Sequence, residues 1–301
     1  MWVFLALVSA LLLGCYDIFK KISLKDNAVI PVLCLSIVIS AVLFLVPTFL
    51  SWINPDMMRA VRFYVPSMSA EAHFFIFLKS ILVLGSWISA YFGMKNIPIT
   101  IYSPIRATQP VWTVIGAFFI FAERLSPLQT VGVVVTILSF YLFSLAGLKE
   151  GVSWKHNRWV WLIVLATLLG SASGLYDKHL MHQYDRIGVQ VYSTMYQAIV
   201  MLIVLLSLWY PKRKSTTPFV WRWSILGISL FLMMADYVYY WSLSSEDALI
   251  SIVSTIRRSG AVVPFLYGAF FLKEKNLKLK SILLCCILCG VTLLTIGALK
   301  G

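Results

Sequence analysis

Apolar runs of about twenty residues recur from end to end of this chain, separated by short polar connections. Runs of 18 or more apolar residues with few charges read as membrane-spanning helices. Ten spans are predicted, at about 2–22, 28–52, 74–95, 99–122, 126–147, 159–180, 189–210, 221–243, 248–272 and 278–299. The expected fold class is an all-α membrane protein of ten transmembrane helices. One connection is longer, and it holds NPDMMRAVRFYVPSMS at 54–69. Its mixture of Arg, Met and aromatic residues suits a short helix lying in the interface, or else a polar loop. Met1 to Leu13 is apolar, lacks a basic start and runs on into the first span, so no cleavable leader is expected.

Two spans share a pattern. IYSPIR ends at Arg106 and IVSTIR ends at Arg257, 151 positions apart (257 − 106). Ser103/Ser254, Ile105/Ile256 and Glu123/Glu274 keep the same offset, and GAFF at 116–119 returns at 268–271, one residue out of register. Gly14-Cys15-Tyr16-Asp17 is echoed by Gly174-Leu175-Tyr176-Asp177, offset by 160 (177 − 17). Five spans therefore occur twice, over residues 1–148 and 149–301. Five is odd, so the second copy enters the membrane from the opposite side. That is the inverted-repeat construction of many secondary transporters.

Composition agrees. The chain is 60% hydrophobic and 12% charged, with a mean hydropathy of +0.87. No soluble domain of 301 residues hides that much apolar side chain. The net charge of +13 would suggest nucleic acid in a soluble protein. Here Lys and Arg collect in short loops, so they contact the lipid bilayer and set topology, and no nucleic-acid partner is expected. Cys15, Cys34, Cys285, Cys286 and Cys289 all lie in apolar spans. CCILC contains a CxxC spacing, but no second ligand cluster accompanies it, so the cysteines read as packing groups and no metal is expected. GxSxG, HExxH and P-loop patterns are absent, and the loops are too short for an ATPase domain. The chain reads as a non-enzyme without a cofactor, driven by gradients or exchange.

Charges inside the spans carry the candidate chemistry. An arginine at a span centre costs about 2.5–3.5 kcal/mol on insertion scales, and such residues face a bundle interior or a watery cavity. Arg106 and Arg257 each lie about seven residues, or about 10 Å, into their spans from opposite sides. By depth, Asp17 is expected to pair with Arg106 and Asp177 with Arg257, either to permit insertion or as gates and substrate contacts. Arg258, with no basic counterpart in the first half, is expected to lack an internal partner and to meet an anionic group on substrate. Asp236 is a candidate proton site or a hydrogen-bonded structural one. Tyr16, Tyr102, Tyr176 and Gln109 surround this region, and Tyr240 with Trp241 is the candidate cavity wall. Lys79 is expected to snorkel to the interface. Pro104, Pro110 and Pro264 fall in the arginine-bearing spans, where a cavity would satisfy the carbonyls they free.

With its paired glycines Gly14 and Gly174, and the partner segments MKNIPITIYSPIRATQPVWTVIGAFFIFAERLSPLQ and LSSEDALISIVSTIRRSGAVVPFLYGAFFLKEKNL, the chain resembles the drug/metabolite transporter superfamily. The similarity is to its ten-helix branch with two EamA-type domains, and it covers essentially the whole chain. It implies a secondary transporter of a small polar metabolite, working by alternating access in a prokaryotic inner membrane. A substrate with both a carboxylate and an ammonium, such as an amino acid, would satisfy arginine and aspartate together. Arg257-Arg258 also resembles the basic pair that sugar-phosphate carriers of the superfamily place on the ninth span, so a phosphorylated metabolite is the second reading. A lipid or lipid-headgroup flippase is a third. The resemblance implies cytoplasmic termini. Lys20, Lys21, Lys25, Lys95 and the run Lys212-Arg213-Lys214 lie on the opposite side, which the positive-inside rule makes cytoplasmic.

Overall fold

In a computed structural model, the described residues are 1–96, 105–106, 108–148, 157–260, 262–264, 267 and short stretches between 281 and 297. They form helices and connections, with no strand among them. The helices are α1 (Trp2–Leu24), α2 (Val29–Ile53), α3 (Pro55–Ala60), α4 (Ala70–Asn96), α5 (Gln109–Phe121), α6 (Pro127–Leu148), α7 (Arg158–Gln183), α8 (Arg186–Val204), α9 (Ser224–Leu243) and α10 (Ile250–Ser259). Among the described residues, six helices are long and apolar enough to cross a bilayer, one of them α8 continued to Lys212. Apolar stretches at Gln109–Phe121 and Pro127–Ser139 are shorter. Of the ninth expected span, α10 supplies the beginning. The tenth is described only in isolated helical stretches.

Local chemistry explains where several helices start. The Asp185 carboxylate accepts from the amides of Ile187 and Gly188, each at 2.9 Å, and opens α8. Asn157 accepts from the Trp159 amide at the start of α7. Asn54 does the same for α3, where Pro55 stands at the first helical position. The connection at 54–69 thus holds a six-residue helix and then an extended strap. The Val65 amide donates to Ser51 Oγ at 3.0 Å, Tyr192 donates to the Pro66 carbonyl at 3.1 Å, and Phe63 stacks on Tyr237 with ring centroids 5.4 Å apart.

Packing follows the duplication. The most extensive seams are α1 on α9 and α4 on α7, and these become one another when the two copies are exchanged. So do α4 on α8 and α2 on α9, and α1 on α10 and α5 on α7. The pairs α2–α8 and α5–α10 map onto themselves. Both large seams use small and hydroxylated residues, as helix contacts in lipid require. Ser9 donates to the Ala235 carbonyl and Ser242 to that of Trp2, while Gly227 makes room for Phe19. Ser86 donates to the Ala166 carbonyl at 2.7 Å, and Gly93 lies under Ile163. α1 crosses α10 so closely that a Cβ on Gly14 would lie 2.5 Å from the Gly260 carbonyl oxygen. Among the described residues, the repeated glycine Gly174 has no such neighbour, and its nearest contact would be Tyr239 Oη at 3.7 Å.

Cys34 is buried, in keeping with a packing role, but Cys285 and Cys289 are exposed. The packing role expected of all five cysteines is therefore not what exposure shows for those two.

Candidate functional site

Three helices from the second copy and one from the first bring charge together at one depth. Lys79 is on α4, Asp177 on α7, Asp236 with Tyr239 and Tyr240 on α9, and Arg257 with Arg258 on α10. Lys79, Asp177, Asp236 and Arg257 lie about six to nine residues from the helix ends Ala70, Gln183, Leu243 and Ile250. That is about 9–14 Å at 1.5 Å per residue. These four ends lie on the same side of the bundle as Met1.

The ion pairs differ from those the sequence suggests. Arg257 bonds and pairs with Asp236, not Asp177. Both side chains are half-buried, at 18% and 19% exposure, and the guanidinium lies 4.0 Å over the Tyr239 ring. Asp177 pairs with Lys79 instead, Oδ1 to Nζ at 3.4 Å, with exposures of 8% and 1%. Lys79 therefore does not snorkel. It is held from outside the helix register by a buried carboxylate and by Tyr240, whose hydroxyl accepts from Nζ at 2.7 Å. The reason is geometric. Asp236 lies seven residues from the end of α9 and Arg257 seven from the start of α10, so these consecutive antiparallel helices put them level. The rings of Tyr239 and Tyr240, 5.3 Å apart, link the two ion pairs into one network.

Arg106 departs too. It donates from Nη1 to the Ala166 carbonyl at 2.7 Å, and Asp17 is bonded to Lys20 on its own helix at 2.5 Å. The Arg106–Asp17 pair therefore does not form. Helix α7 passes close to Arg106 and exposes a carbonyl to it, while Lys20, one turn from Asp17, reaches the carboxylate first. Arg258, expected without an internal partner, donates to Gln109 Oε1. Gly170 on α7 leaves the space that Gln109 occupies, since a Cβ there would come within 3.0 Å of that oxygen.

The other candidates stand apart from this network or outside the described residues. Tyr16 shares a 3.0 Å hydrogen bond with Tyr91, and Lys20 lies 4.6 Å over its ring. Tyr176 Oη is buried without a hydrogen-bond partner, and its ring stacks on His179. Among the described residues, Trp241 contacts Arg186 and Tyr237 and not the network around Lys79. Its ring lies 4.5 Å under the Arg186 guanidinium. Tyr102, Ser103, Pro104 and Glu274 lie outside the described residues.

Two functional-looking residues escaped sequence reasoning. Lys79 carries the same signal as Arg106, a cation well inside an apolar span, but its long stem suggested an interfacial head. Glu123 stands out in the sequence only as a member of the 151-residue repeat with Glu274. Its carboxylate accepts from the Ile250 amide at 2.7 Å, the Ser251 amide at 3.2 Å and Ser251 Oγ at 2.6 Å. It thereby caps the N-terminus of α10, where the helix dipole favours an anion. Beside it, Lys178 donates to the Ala248 carbonyl. The helix that carries Arg257 and Arg258 is thus fixed at its start by a carboxylate from the α5–α6 turn.

Against known families, residues 1–145 and 157–296 both match the model of the EamA-like transporter family. The chain belongs to the EamA-like transporter family. It is accordingly a multi-pass membrane protein and a transporter of small molecules. No curated protein matches it significantly. A solved crystal structure superposes with a TM-score of 0.74 at 12% identity, over 99% of this chain and 98% of the other. That likeness is one of fold.

Proposed function

We propose that this EamA-like transporter is a ten-helix secondary transporter of a small zwitterionic or carboxylated metabolite, of the amino-acid class. Its two copies, 1–148 and 149–301, are inverted relative to each other and rock about a site between them to give alternating access. The exchange symmetry of the helix seams supports this arrangement.

One observation carries the substrate class: the half-buried Arg257–Asp236 pair, joined through Tyr239 and Tyr240 to Lys79 and Asp177. A guanidinium binds a carboxylate bidentately, and an aspartate takes an ammonium. A zwitterion can replace each partner of the pair with its own opposite charge, so no ion is left uncompensated in a low-dielectric site. Arg258, beside Arg257 on α10, supports a second reading, a phosphorylated metabolite, because three oxygens would occupy both guanidinium groups.

Counterflow in proteoliposomes with labelled amino acids, sugar phosphates and amines tests both readings. Amino-acid exchange abolished by Arg257→Gln and Asp236→Asn, in folded protein, is the expected result. Exchange of sugar phosphates alone, lost in Arg258→Gln, moves the substrate to the second reading. Exchange that survives all three substitutions overturns both.

A further inference from the structure

The Lys79–Asp177 pair is built differently from an ordinary structural salt bridge. The two charges come from different family-matched segments, α4 in the first and α7 in the second. Both are almost completely enclosed. Yet the close hydrogen bond of the ammonium goes to Tyr240 Oη, at 2.7 Å. The carboxylate stands back at 3.4 Å, and its Oδ1 accepts no hydrogen bond. The Lys79 ammonium thus faces Oδ1 at a longer distance than the roughly 2.7–2.9 Å of a close charge-assisted hydrogen bond. Asp236, by contrast, is bonded directly to Arg257 and is partly open to solvent.

Among the described residues, the groups facing Asp177 are few. They are Lys79 from α4, Asp236, Tyr239 and Tyr240 from α9, and Arg257 from α10. On α7 itself, Lys178 is turned to the Ala248 carbonyl. From the α5 side, Glu123 is taken up by the start of α10. On α8, Tyr192 and Tyr196 are bonded to Pro66 and His73.

We propose that Asp177 is a proton-binding site, with Lys79 as its countercharge, whose occupancy releases the bridge between the two segments and so couples protons to transport. The proton adds to Asp177 Oδ1 from water on one side and leaves to water on the other. Lys79 keeps its ammonium, still hydrogen-bonded to Tyr240, but loses the attraction that ties α4 to α7. No electron moves and no further reactant is needed. Intramembrane acid–base pairs at such positions serve as proton relays in pumps and transporters.

This inference rests on the transport reading above, but its test needs no substrate. Purified protein in nanodiscs is moved between mildly alkaline and mildly acidic buffer and followed by infrared difference spectroscopy. The carbonyl stretch of a newly protonated carboxyl should rise in the wild type, persist in Asp236→Asn and vanish in Asp177→Asn. Asp177→Asn alone leaves Lys79 buried against a neutral partner, so Lys79→Met/Asp177→Asn, which removes both charges, is the companion variant and must also lack the band. In parallel, Ser254→Cys, at a half-buried position of α10 one turn before Arg257 and Arg258, reports opening in a cysteine-free background, through labelling by a membrane-impermeant thiol reagent relative to an exposed control cysteine. Labelling should rise several-fold on acidification in the wild type. In the double variant it should be high and independent of pH. A wild type without the band, a band that survives in Asp177→Asn, or labelling indifferent to pH overturns the proposal. Failure of every substrate in the counterflow panel would count against the transport reading and leave the infrared result standing.

Discussion

Asp17 and Asp177 begin as the same residue in the same repeated sequence, yet the molecule uses them in opposite ways. Asp17 bonds to Lys20 three residues along α1, at 2.5 Å, and remains 37% exposed. Asp177 reaches across to Lys79 on another helix of the other segment and is enclosed. The first ion pair joins two residues of one helix and moves with α1 as a unit. The second ties α4 to α7 and cannot survive their separation. Duplication copied the residue, and divergence of its partner helices decided its task. Lys79 has no cationic counterpart in the second copy, where the corresponding helix α9 carries no Lys or Arg between Ser224 and Leu243.

Breaking the cross-segment pair should have the largest effect. Either Lys79→Met or Asp177→Asn should destabilise the protein by about 3–5 kcal/mol, because each strands a buried charge. The double variant should recover most of that loss. Thermal unfolding of purified protein in one detergent checks this. Equal stability of the single and double variants would mean that the two charges do not compensate each other.

The repeated glycines sharpen the same contrast. Gly14→Ala drives a methyl group into the Gly260 carbonyl and Val263 at 2.5 Å. Backbone must shift to admit it, at a cost of about 1–3 kcal/mol. Among the described residues Gly174→Ala meets only the Tyr239 hydroxyl at 3.7 Å, and it gains helix propensity of up to about 1 kcal/mol. Unfolding temperatures should therefore fall for the first and hold or rise for the second.

Glu123 is a second carboxylate that works between elements. Glu123→Gln removes the charge facing the amide end of α10 while keeping the side chain's size. A loss of about 1–2 kcal/mol follows from cap and dipole together. Hydrogen exchange should localise that loss to the first turn of α10, with faster exchange at Ile250 and Ser251. Unchanged exchange there would remove Glu123 from the positioning of Arg257.

Much of this was legible in the sequence. Apolar run lengths give the helical membrane fold, and the offset repeats Arg106/Arg257 and Tyr16-Asp17/Tyr176-Asp177 point to the internal duplication. The intramembrane charges mark the polar interior. The pairings were not legible. Depth along a span can be counted, but the direction a side chain faces depends on how each helix is rotated against its neighbours. Arg106 and Arg257 had carboxylates of the right depth in the wrong direction, and Arg258, expected without an internal partner, meets Gln109. Lys79 was missed for a related reason, since a flexible stem allows either an interfacial head or a buried one. Only the position of Asp177 and Tyr240 on the facing helices decides between them.

The smallest effect should come from the other member of the comparison. Asp17→Asn removes an ion pair between residues three apart on one helix, a type worth about 0.3–0.5 kcal/mol in isolated helices and up to about 1 kcal/mol at exposed sites. The ammonium of Lys20 would not be stranded, because it also lies 4.6 Å and 5.4 Å over the rings of Tyr16 and Tyr91. Cation–π contacts of that kind contribute about 0.5–2 kcal/mol, more as water is excluded. The loss of stability should therefore stay below about 1 kcal/mol, and Tyr91→Leu, which removes one ring and the hydroxyl that bonds Tyr16, should cost more than Asp17→Asn. If Asp17→Asn instead destabilises as strongly as Asp177→Asn, the carboxylate is holding more than its own helix. The functional difference between the two copies would then have to be sought elsewhere.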